Sequence, residues 1–369
     1  MNTETARSYR IVALPGDGVG GEVYSAAREV LLQLAGQFGL DITLDEQLIG
    51  GAAVDACGDP LPAATSAACR GADAILLGAV GGPKWDANPP AQRPEQGLLR
   101  IRAEFKLFCN LRPVVTHPAL HRFLPIRQDR LAGVDLMIVR ELTGGIYFGE
   151  KRREGDRAID ISTYTRAEIE RVTRKACDLA RQRGGRITHV DKSNVLETSR
   201  LWREVTTALV ASDYPDLSLE HMLVDSAAMH LLTRPASFDV VLTENLFGDI
   251  LSDEASMLCG SMGLLPSASL GEGDFGLYEP VHGSAPDIAG QGIANPYAML
   301  LSSAMMLRHS LHCPAAADAL EDSIQQCWTD GVLTRDLVAD GCTTREVTAA
   351  VRHRLRSRVP PSSHAQPAE

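Results

Sequence analysis

Short runs in which almost every position is apolar alternate along this chain with longer stretches in which apolar residues return every three or four positions. The short runs cover 9–14, 72–78, 134–139, 187–190 and 240–243, bounded by glycine or polar residues, and they predict buried strands. Helical periodicity predicts a helix from about Glu22 to Leu34 and others over 167–183, 201–211, 297–307 and 316–329. Strand and helix alternating over the whole length predict an α/β fold on a largely open sheet.

One helical stretch carries acid in a suggestive arrangement. Within 243–256, Leu246, Phe247, Ile250 and Leu251 recur at helical spacing and are read as the apolar side of an amphipathic helix. Asp249 and Asp253 lie one turn apart on the same helix, so their carboxylates stack. Like charges so placed repel unless a cation sits between them, and a hard divalent ion such as Mg²⁺ takes carboxylate oxygens readily. Taken alone such a pair is more often a solvated helix face, so the metal reading needs other residues.

Composition narrows the classes. A chain of 369 residues with 44% hydrophobic and 22% charged positions buries a sizeable core and is expected to form two lobes. The 36 basic and 47 acidic side chains give a net charge of −11, which argues against a nucleic-acid or anionic-membrane surface. Any anionic ligand must be drawn by local arginines. The eight cysteines include no Cys-x-x-Cys pair, so they are read as buried free thiols rather than zinc or redox motifs. The first ten residues are short and polar for a signal peptide, and no apolar run has transmembrane length, so a cytoplasmic protein is expected. The stretch 356–369, rich in Pro, Ser and Ala, is expected to be a disordered tail.

The segment Gly16-Asp17-Gly18-Val19-Gly20-Gly21 satisfies the Gly-x-Gly-x-x-Gly pattern of dinucleotide sites, and Asp41 stands where their acidic residue is sought. Pro15 directly before the first glycine makes a different turn, and no second half with regular βαβ units follows. A Rossmann fold is therefore not expected, and the segment is read as a flexible turn between lobes.

Arg102, Arg112 and Arg140 each stand in an apolar setting, where a guanidinium is costly without an anionic partner. Their planar forks match carboxylates two bonds at a time, so three of them suggest a dicarboxylate ligand.

Several long motifs now stand in order: Leu77-Gly78-Ala79-Val80-Gly81-Gly82-Pro83-Lys84-Trp85, the arginine segments, Val190-Asp191-Lys192-Ser193-Asn194-Val195-Leu196-Glu197, Val224-Asp225, the two-aspartate helix, and the stretch from Glu279 through His282 to Gly290. Over about 9–340 the chain resembles the β-decarboxylating dehydrogenases, and among them the isopropylmalate dehydrogenase branch of the isocitrate/isopropylmalate dehydrogenase family. The resemblance implies a two-lobed α/β fold with an open mixed sheet, not a Rossmann fold. Residues 1–107 and 261–355 would form the lobe carrying both termini, and 108–260 the lobe with the dimer surface. It implies a homodimer whose active sites each borrow residues from the neighbour. Arg102, Arg112 and Arg140 would hold the substrate carboxylates, Tyr147 would donate a proton, and Lys192 of the partner subunit would be the base. Asp249 and Asp253 would bind Mg²⁺ or Mn²⁺ with Asp225 of the partner subunit, which also lies against substrate. Asn194 would lie near the nicotinamide of NAD. The cofactor loop would run from Glu279 to Asn295, with His282 beside the adenine, Asp287 near the adenosine ribose, and Gly283, Ser284, Ala285 and Ile288 along it. The implied reaction is oxidative decarboxylation of 3-isopropylmalate to 4-methyl-2-oxopentanoate, a step of leucine biosynthesis.

Two choices within the family are local. Leu98 and Leu99, following Glu95 on a helix, offer an apolar patch to a branched alkyl group, where a third carboxylate would need a cation or hydroxyl. Asp287 can accept from a ribose 2′-hydroxyl but repels a 2′-phosphate, which favours NAD over NADP. Gly21 stands where the family usually carries proline, and His230 where glutamine is commoner. The rival readings are a dehydrogenase for another 3-alkylmalate or a tartrate-like acid, and a non-catalytic regulatory subunit; every expected metal and base residue is present, which argues against the last.

Overall fold

The computed structural model describes residues 8–124 and 126–357. In chain order the first elements are β1 (Ser8–Gly16), α1 (Gly20–Phe38), β2 (Asp41–Glu46), α2 (Gly50–Cys57), α3 (Ala63–Arg70), β3 (Ala74–Ala79) and α4 (Glu95–Glu104). There follow β4 (Cys109–Val115), α5 (Gln128–Leu131), β5 (Asp135–Glu141), β6 (Lys151–Glu154), β7 (Arg157–Asp160) and α6 (Arg166–Arg181). Next come β8 (Arg186–Asp191), α7 (Glu197–Asp213), β9 (Ser218–Leu223), α8 (Val224–Thr233), β10 (Val240–Thr243), α9 (Asn245–Ser256) and β11 (Pro266–Leu270). The chain closes with β12 (Gly276–Pro280), α10 (Tyr297–His309), α11 (Pro314–Thr329) and α12 (Thr344–Arg356).

The chain forms two compact units, Met1–Leu98 with Gly276–Glu369, and Leu99–Phe275. These divide later at the second crossing, and earlier at the first, than the 107/108 and 260/261 boundaries expected from the sequence. The expected tail from 356 begins at the last residue of α12, and 358–369 lie outside the described residues. Among the described residues no helix is long and apolar enough to cross a membrane.

In the first unit four parallel strands run in the order β2-β1-β3-β12. All six residues of β3 are buried, as its unbroken apolar run predicted. Helix α1 covers the strands with Val23, Ala27, Val30, Leu31 and Leu34, an inward stripe at helical spacing. Helix α10 is buried nearly all round, which is why its apolar pattern is broad. Helix α12 begins with a capping box, Thr343 to Glu346 and back, a device worth about 1 kcal/mol.

The glycine-rich turn lies within this unit and is tied down, which corrects the expectation of a flexible link. Gly18 has φ +57°, and a Cβ there would lie 2.0 Å from the Ser284 carbonyl oxygen. The Val19 N–H donates to that same oxygen at 2.8 Å. Between the glycines, the buried Asp17 carboxylate accepts N–H groups of Gly51, Ala52 and Gly81, each at 2.8 Å. Gly21 has open space where a Cβ would be, so a side chain there would meet nothing.

The second unit carries a mixed sheet in the order β11-β4-β5-β10-β8-β9, antiparallel from β11 to β5 and parallel from β5 to β9. A separate hairpin, β6 with β7, stands on exposed residues. Helices α6 and α7 pack on the sheet, and α9 packs on β4, β5 and β10. The inward face of α9 follows the apolar pattern only in part: Leu251 is buried along with Asn245, Gly248, Ser252, Ala255 and Ser256, while Ile250 is 58% exposed. Small and polar residues face inward because arginines lie beneath; a Cβ on Gly248 would come within 2.6 Å of the Arg140 side chain.

Candidate active site

Strand alternation places the site. Asn110 on β4 is registered opposite Arg140 on β5, and Arg112 lies two residues beyond Asn110, so the three share one face of the sheet. Helix α9 bonds to that face through Asn245, Asp249, Ser252 and Asp253, residues three and four apart on one side of the helix.

Arg140 is almost wholly buried, and each of its three nitrogens has a partner. Its Nε and one terminal nitrogen donate to Asn245 Oδ1 at 3.1 and 2.8 Å, and the other donates to Asp249 at 2.5 Å. Arg112 donates to Asn110 at 2.8 Å and to Ser252 at 2.5 Å, and reaches Asp253 at 3.4 Å and Asp249 at 3.6 Å. Arg102, in the last turn of α4, adds its field to Arg140 and Asp249. Tyr147 donates its hydroxyl to Asp249 at 2.8 Å, with the Arg140 guanidinium 5.7 Å from its ring centre.

The charges here shift one another. Burial, then the neighbouring Arg112, pull Arg140 down to about 10, so it stays cationic at neutral pH. Burial works to raise the Asp249 carboxyl, yet Arg140, the Tyr147 hydroxyl, Arg112 and Arg102 together hold it below its ordinary value. Asp253 moves the other way: burial, with the Asp249 charge adding to it, lifts it above the usual range against the pull of Arg112. Burial and then the bond to Asp249 push the Tyr147 phenol up to about 12, so it holds its proton at neutral pH. The guanidiniums offer paired donors to an anion, and the two stacked carboxylates offer hard oxygens to a cation.

Lys192 and Asp225 form a second, separate pair. Lys192 follows β8, its amide held by Ser199 Oγ at 3.1 Å, and its ammonium donates to Asp225 at 2.9 Å in the first turn of α8. Lys192 lowers the Asp225 carboxyl below its ordinary value. Among the described residues, neither member of this pair bonds to Asp249 or Asp253 within one chain.

Of the remaining candidates, Glu95, Leu98 and Leu99 share α4 with Arg102; Glu95 is exposed and the leucines are half-buried. Asn194 is exposed in the loop after β8. In the first unit, Glu279 is the penultimate residue of β12 and is buried, while Gly283 and Asp287 are exposed and Ser284 receives the Gly18 turn. Ala285 has φ +37°, which bends the loop back so that Ile288 N–H reaches its carbonyl at 3.1 Å. His282 donates its Nδ1–H to the Gly283 carbonyl at 2.9 Å, and its buried Nε2 meets no partner among the described residues. Such an orphaned ring nitrogen suits a heteroaromatic ligand edge. Asn295 is different: its side chain is engaged with Tyr297 N–H and Asp336, both at 3.0 Å.

The residues not singled out from the sequence are those that aim the arginines. Asn245 donates to Gly144 at 3.1 Å, and its amide N–H meets the Tyr164 hydroxyl at 3.0 Å, which in turn donates to Glu244. Asn245 stands one turn before Asp249, so the spacing that flagged the aspartates extends to it. Asn110 and Ser252 carried no such signal. A further His189–Asp191–His221 group has ligand-type atoms within 4.8 Å of one another.

A description of the isocitrate/isopropylmalate dehydrogenase family matches residues 10–351. The chain belongs to that family. Among curated relatives, a 3-isopropylmalate dehydrogenase of Bacillus licheniformis is 53% identical over 94% of this chain and 95% of its own length. One of Geobacillus kaustophilus is 56% identical over 90% of this chain and 91% of its own. Among solved structures, an isocitrate dehydrogenase from Methylococcus capsulatus superposes with a TM-score of 0.84 at 35% identity, covering 94% of this chain and 99% of that one. The family fold, an open mixed α/β sheet rather than a closed barrel, is thus the one seen here.

Proposed function

We propose that the protein is an NAD-dependent 3-isopropylmalate dehydrogenase, converting 3-isopropylmalate to 4-methyl-2-oxopentanoate and CO₂ in leucine biosynthesis. The observation that carries this reading is the buried Arg112–Arg140 face with its two α9 aspartates, in a chain more than half identical to enzymes of that name. Arg102, Arg112 and Arg140 bind and orient the two substrate carboxylates. Leu98 and Leu99, beside Glu95, take the branched alkyl group. Asp249 and Asp253, with Asp225 of the partner subunit, have the hard-oxygen set that holds Mg²⁺ or Mn²⁺, and the bound ion supplies positive charge to the substrate oxygens. NAD⁺ supplies the hydride acceptor, with His282 and Asp287 suited to its adenine and ribose, Gly283, Ser284, Ala285 and Ile288 lining its loop, and Asn194 toward its nicotinamide.

Lys192 of the partner subunit, acting as the free amine, takes the C2 hydroxyl proton as hydride leaves C2. The ketone so formed is β to the second carboxylate, which departs as CO₂. Tyr147, whose raised pKa keeps it protonated, gives its proton to C3 and so closes the balance. Asn295 is placed in the cofactor loop by its backbone, since its side chain is engaged. A homodimer is supported by Met229 and Leu232 on α8, Ile250 on the adjacent α9 and Met257 just past its end, apolar side chains all at least 39% exposed. Eight free thiols agree with a cytoplasmic setting.

The deciding assay is NADH formation from 3-isopropylmalate with and without Mg²⁺, run beside 3-methylmalate, tartrate and isocitrate. Turnover that requires the ion, prefers the isopropyl substrate and prefers NAD to NADP is expected. A faster rate with tartrate or isocitrate would remove the substrate assignment.

A further inference from the structure

Strands β8 and β9 deliver Lys192 and Asp225 side by side, and directly upstream of both lies a buried group that the chemistry above leaves unused. His189 and His221 stand opposite each other in the β8–β9 register. Their Nδ1 atoms are 3.0 Å apart. One proton lies between them, and the surroundings decide who owns it. The Thr207 hydroxyl gives its hydrogen to the Arg203 carbonyl at 2.7 Å, so toward His221 Nε2, at 2.9 Å, it can only accept. His221 is therefore the Nε2–H tautomer with a bare Nδ1, and His189 donates its Nδ1–H to it. Asp191, 3.6 Å from His189 Nδ1, draws the same proton to that position.

The group is closed on its other sides. His189 is 1% exposed and stacks on Trp202 at 5.7 Å. Burial above all holds both rings below the usual imidazole value, so the pair is neutral. Asp191 is gripped by Arg203 at 2.8 and 3.0 Å and accepts the Ser193 N–H at 2.9 Å. A metal ion is a poor occupant, because Arg203 already neutralises that carboxylate and its charge would face the ion.

We propose that His189 and His221 are positioning residues, whose tautomer-locked bond joins β8 to β9 and thereby sets the Lys192 amino group against Asp225. This rests on the reading of Lys192 as the base. A bond at the His189–His221 pair acts three residues from Lys192 on one strand and four residues from Asp225 on the other, close enough to govern where both side chains start.

The test is steady-state kinetics on the full-length enzyme with Mg²⁺, NAD and 3-isopropylmalate. His189→Leu keeps bulk and removes the donor; His189→Asn puts an amide donor back near the Nδ1 position. We expect His189→Leu to lower kcat about tenfold or more with KM changed less than about twofold, and His189→Asn to recover most of that loss. His221→Gln keeps a donor for Thr207 but removes the Nδ1 acceptor, and it should reproduce the kcat loss even if His189→Leu does not fold. Wild-type kcat in either donor- or acceptor-deleted variant, or equal loss in His189→Asn and His189→Leu, overturns the proposal. Lys192→Met run alongside separates the two layers: a dead Lys192→Met with an unaffected His189→Leu overturns only the positioning role, whereas an active Lys192→Met removes the base assignment beneath it.

Discussion

The Arg112–Arg140 cluster and the Lys192–Asp225 pair both set cations against carboxylates within one unit of the protein, yet they are built in opposite ways. The arginines are buried, and their nitrogens meet Asn110, Asn245, Ser252, Asp249 and Asp253 before any ligand arrives. Lys192 and Asp225 hold one bond between an ammonium that is 28% exposed and a carboxylate that is 63% exposed. A buried guanidinium must be paired or the fold loses several kcal/mol, so its geometry is over-determined. An exposed pair costs little to break, which leaves a proton-transfer group free to change partners. Preorganisation for binding and readiness for proton transfer thus fall to different parts of the same sheet.

That contrast can be broken at several points. The largest effect is expected from Lys192→Met, which should lower kcat by about 10²–10⁴-fold while the thermal midpoint moves by less than about 2 °C; calorimetry beside the rate assay checks both. A large loss of stability would place Lys192 with the structural group instead. Next, Arg140→Lys keeps the charge but cannot span Asn245 and Asp249 together. It should raise KM for the dicarboxylate by roughly 10- to 100-fold and cost about 1–3 kcal/mol in urea unfolding, since Asn245 is left unpaired. Asn245→Ala should show the same sign more weakly, a loss of about 1–2 kcal/mol with KM up by roughly threefold, because the guanidinium survives but is no longer aimed. Unchanged KM there would mean that Asp249 alone orients Arg140.

Two smaller effects concern protons. Asp249→Asn removes the second cause of the raised Tyr147 value, so that phenol should titrate below about 12 but still above 10.0, because burial remains; phenolate absorbance against a Tyr147→Phe control reads this. For stability against pH, Asp249 is held below its ordinary value of 3.8, so its contribution is present above that pH and is lost as acid takes the pH through the lower folded value. Asp253 is raised and has the opposite sign, opposing folding at neutral pH and ceasing to do so on acidification. Acid unfolding of Asp249→Asn should therefore be shallower below about pH 4 than that of the wild type.

Much of the fold was legible because periodicity is a local property. The run at 240–243 is strand β10, and the helices expected at 167–183 and 297–307 differ from α6 and α10 only at their ends. The α9 face was misread in part, for an equally physical reason: apolar spacing marks what can be buried, but the sheet beneath α9 presents arginines, so asparagine and serine went inward and Ile250 outward. The Gly16–Gly21 turn was rightly separated from a dinucleotide motif, yet its rigidity was hidden, because Ser284, Gly51 and Gly81 are remote in sequence.

By itself the sequence determined the α/β alternation, the family, and the chemical kinds of group at the site: fork-shaped cations, stacked carboxylates, a lysine and a phenol. Those follow from residue type and short-range spacing. Tertiary structure alone decided which groups are satisfied within one chain and which are left open. Arg140 found Asn245 and Asp249 more than a hundred residues away, whereas Asp225, among the described side chains, met Lys192. Burial and hydrogen-bond closure depend on what the folded chain brings opposite each side chain, and no local pattern encodes that.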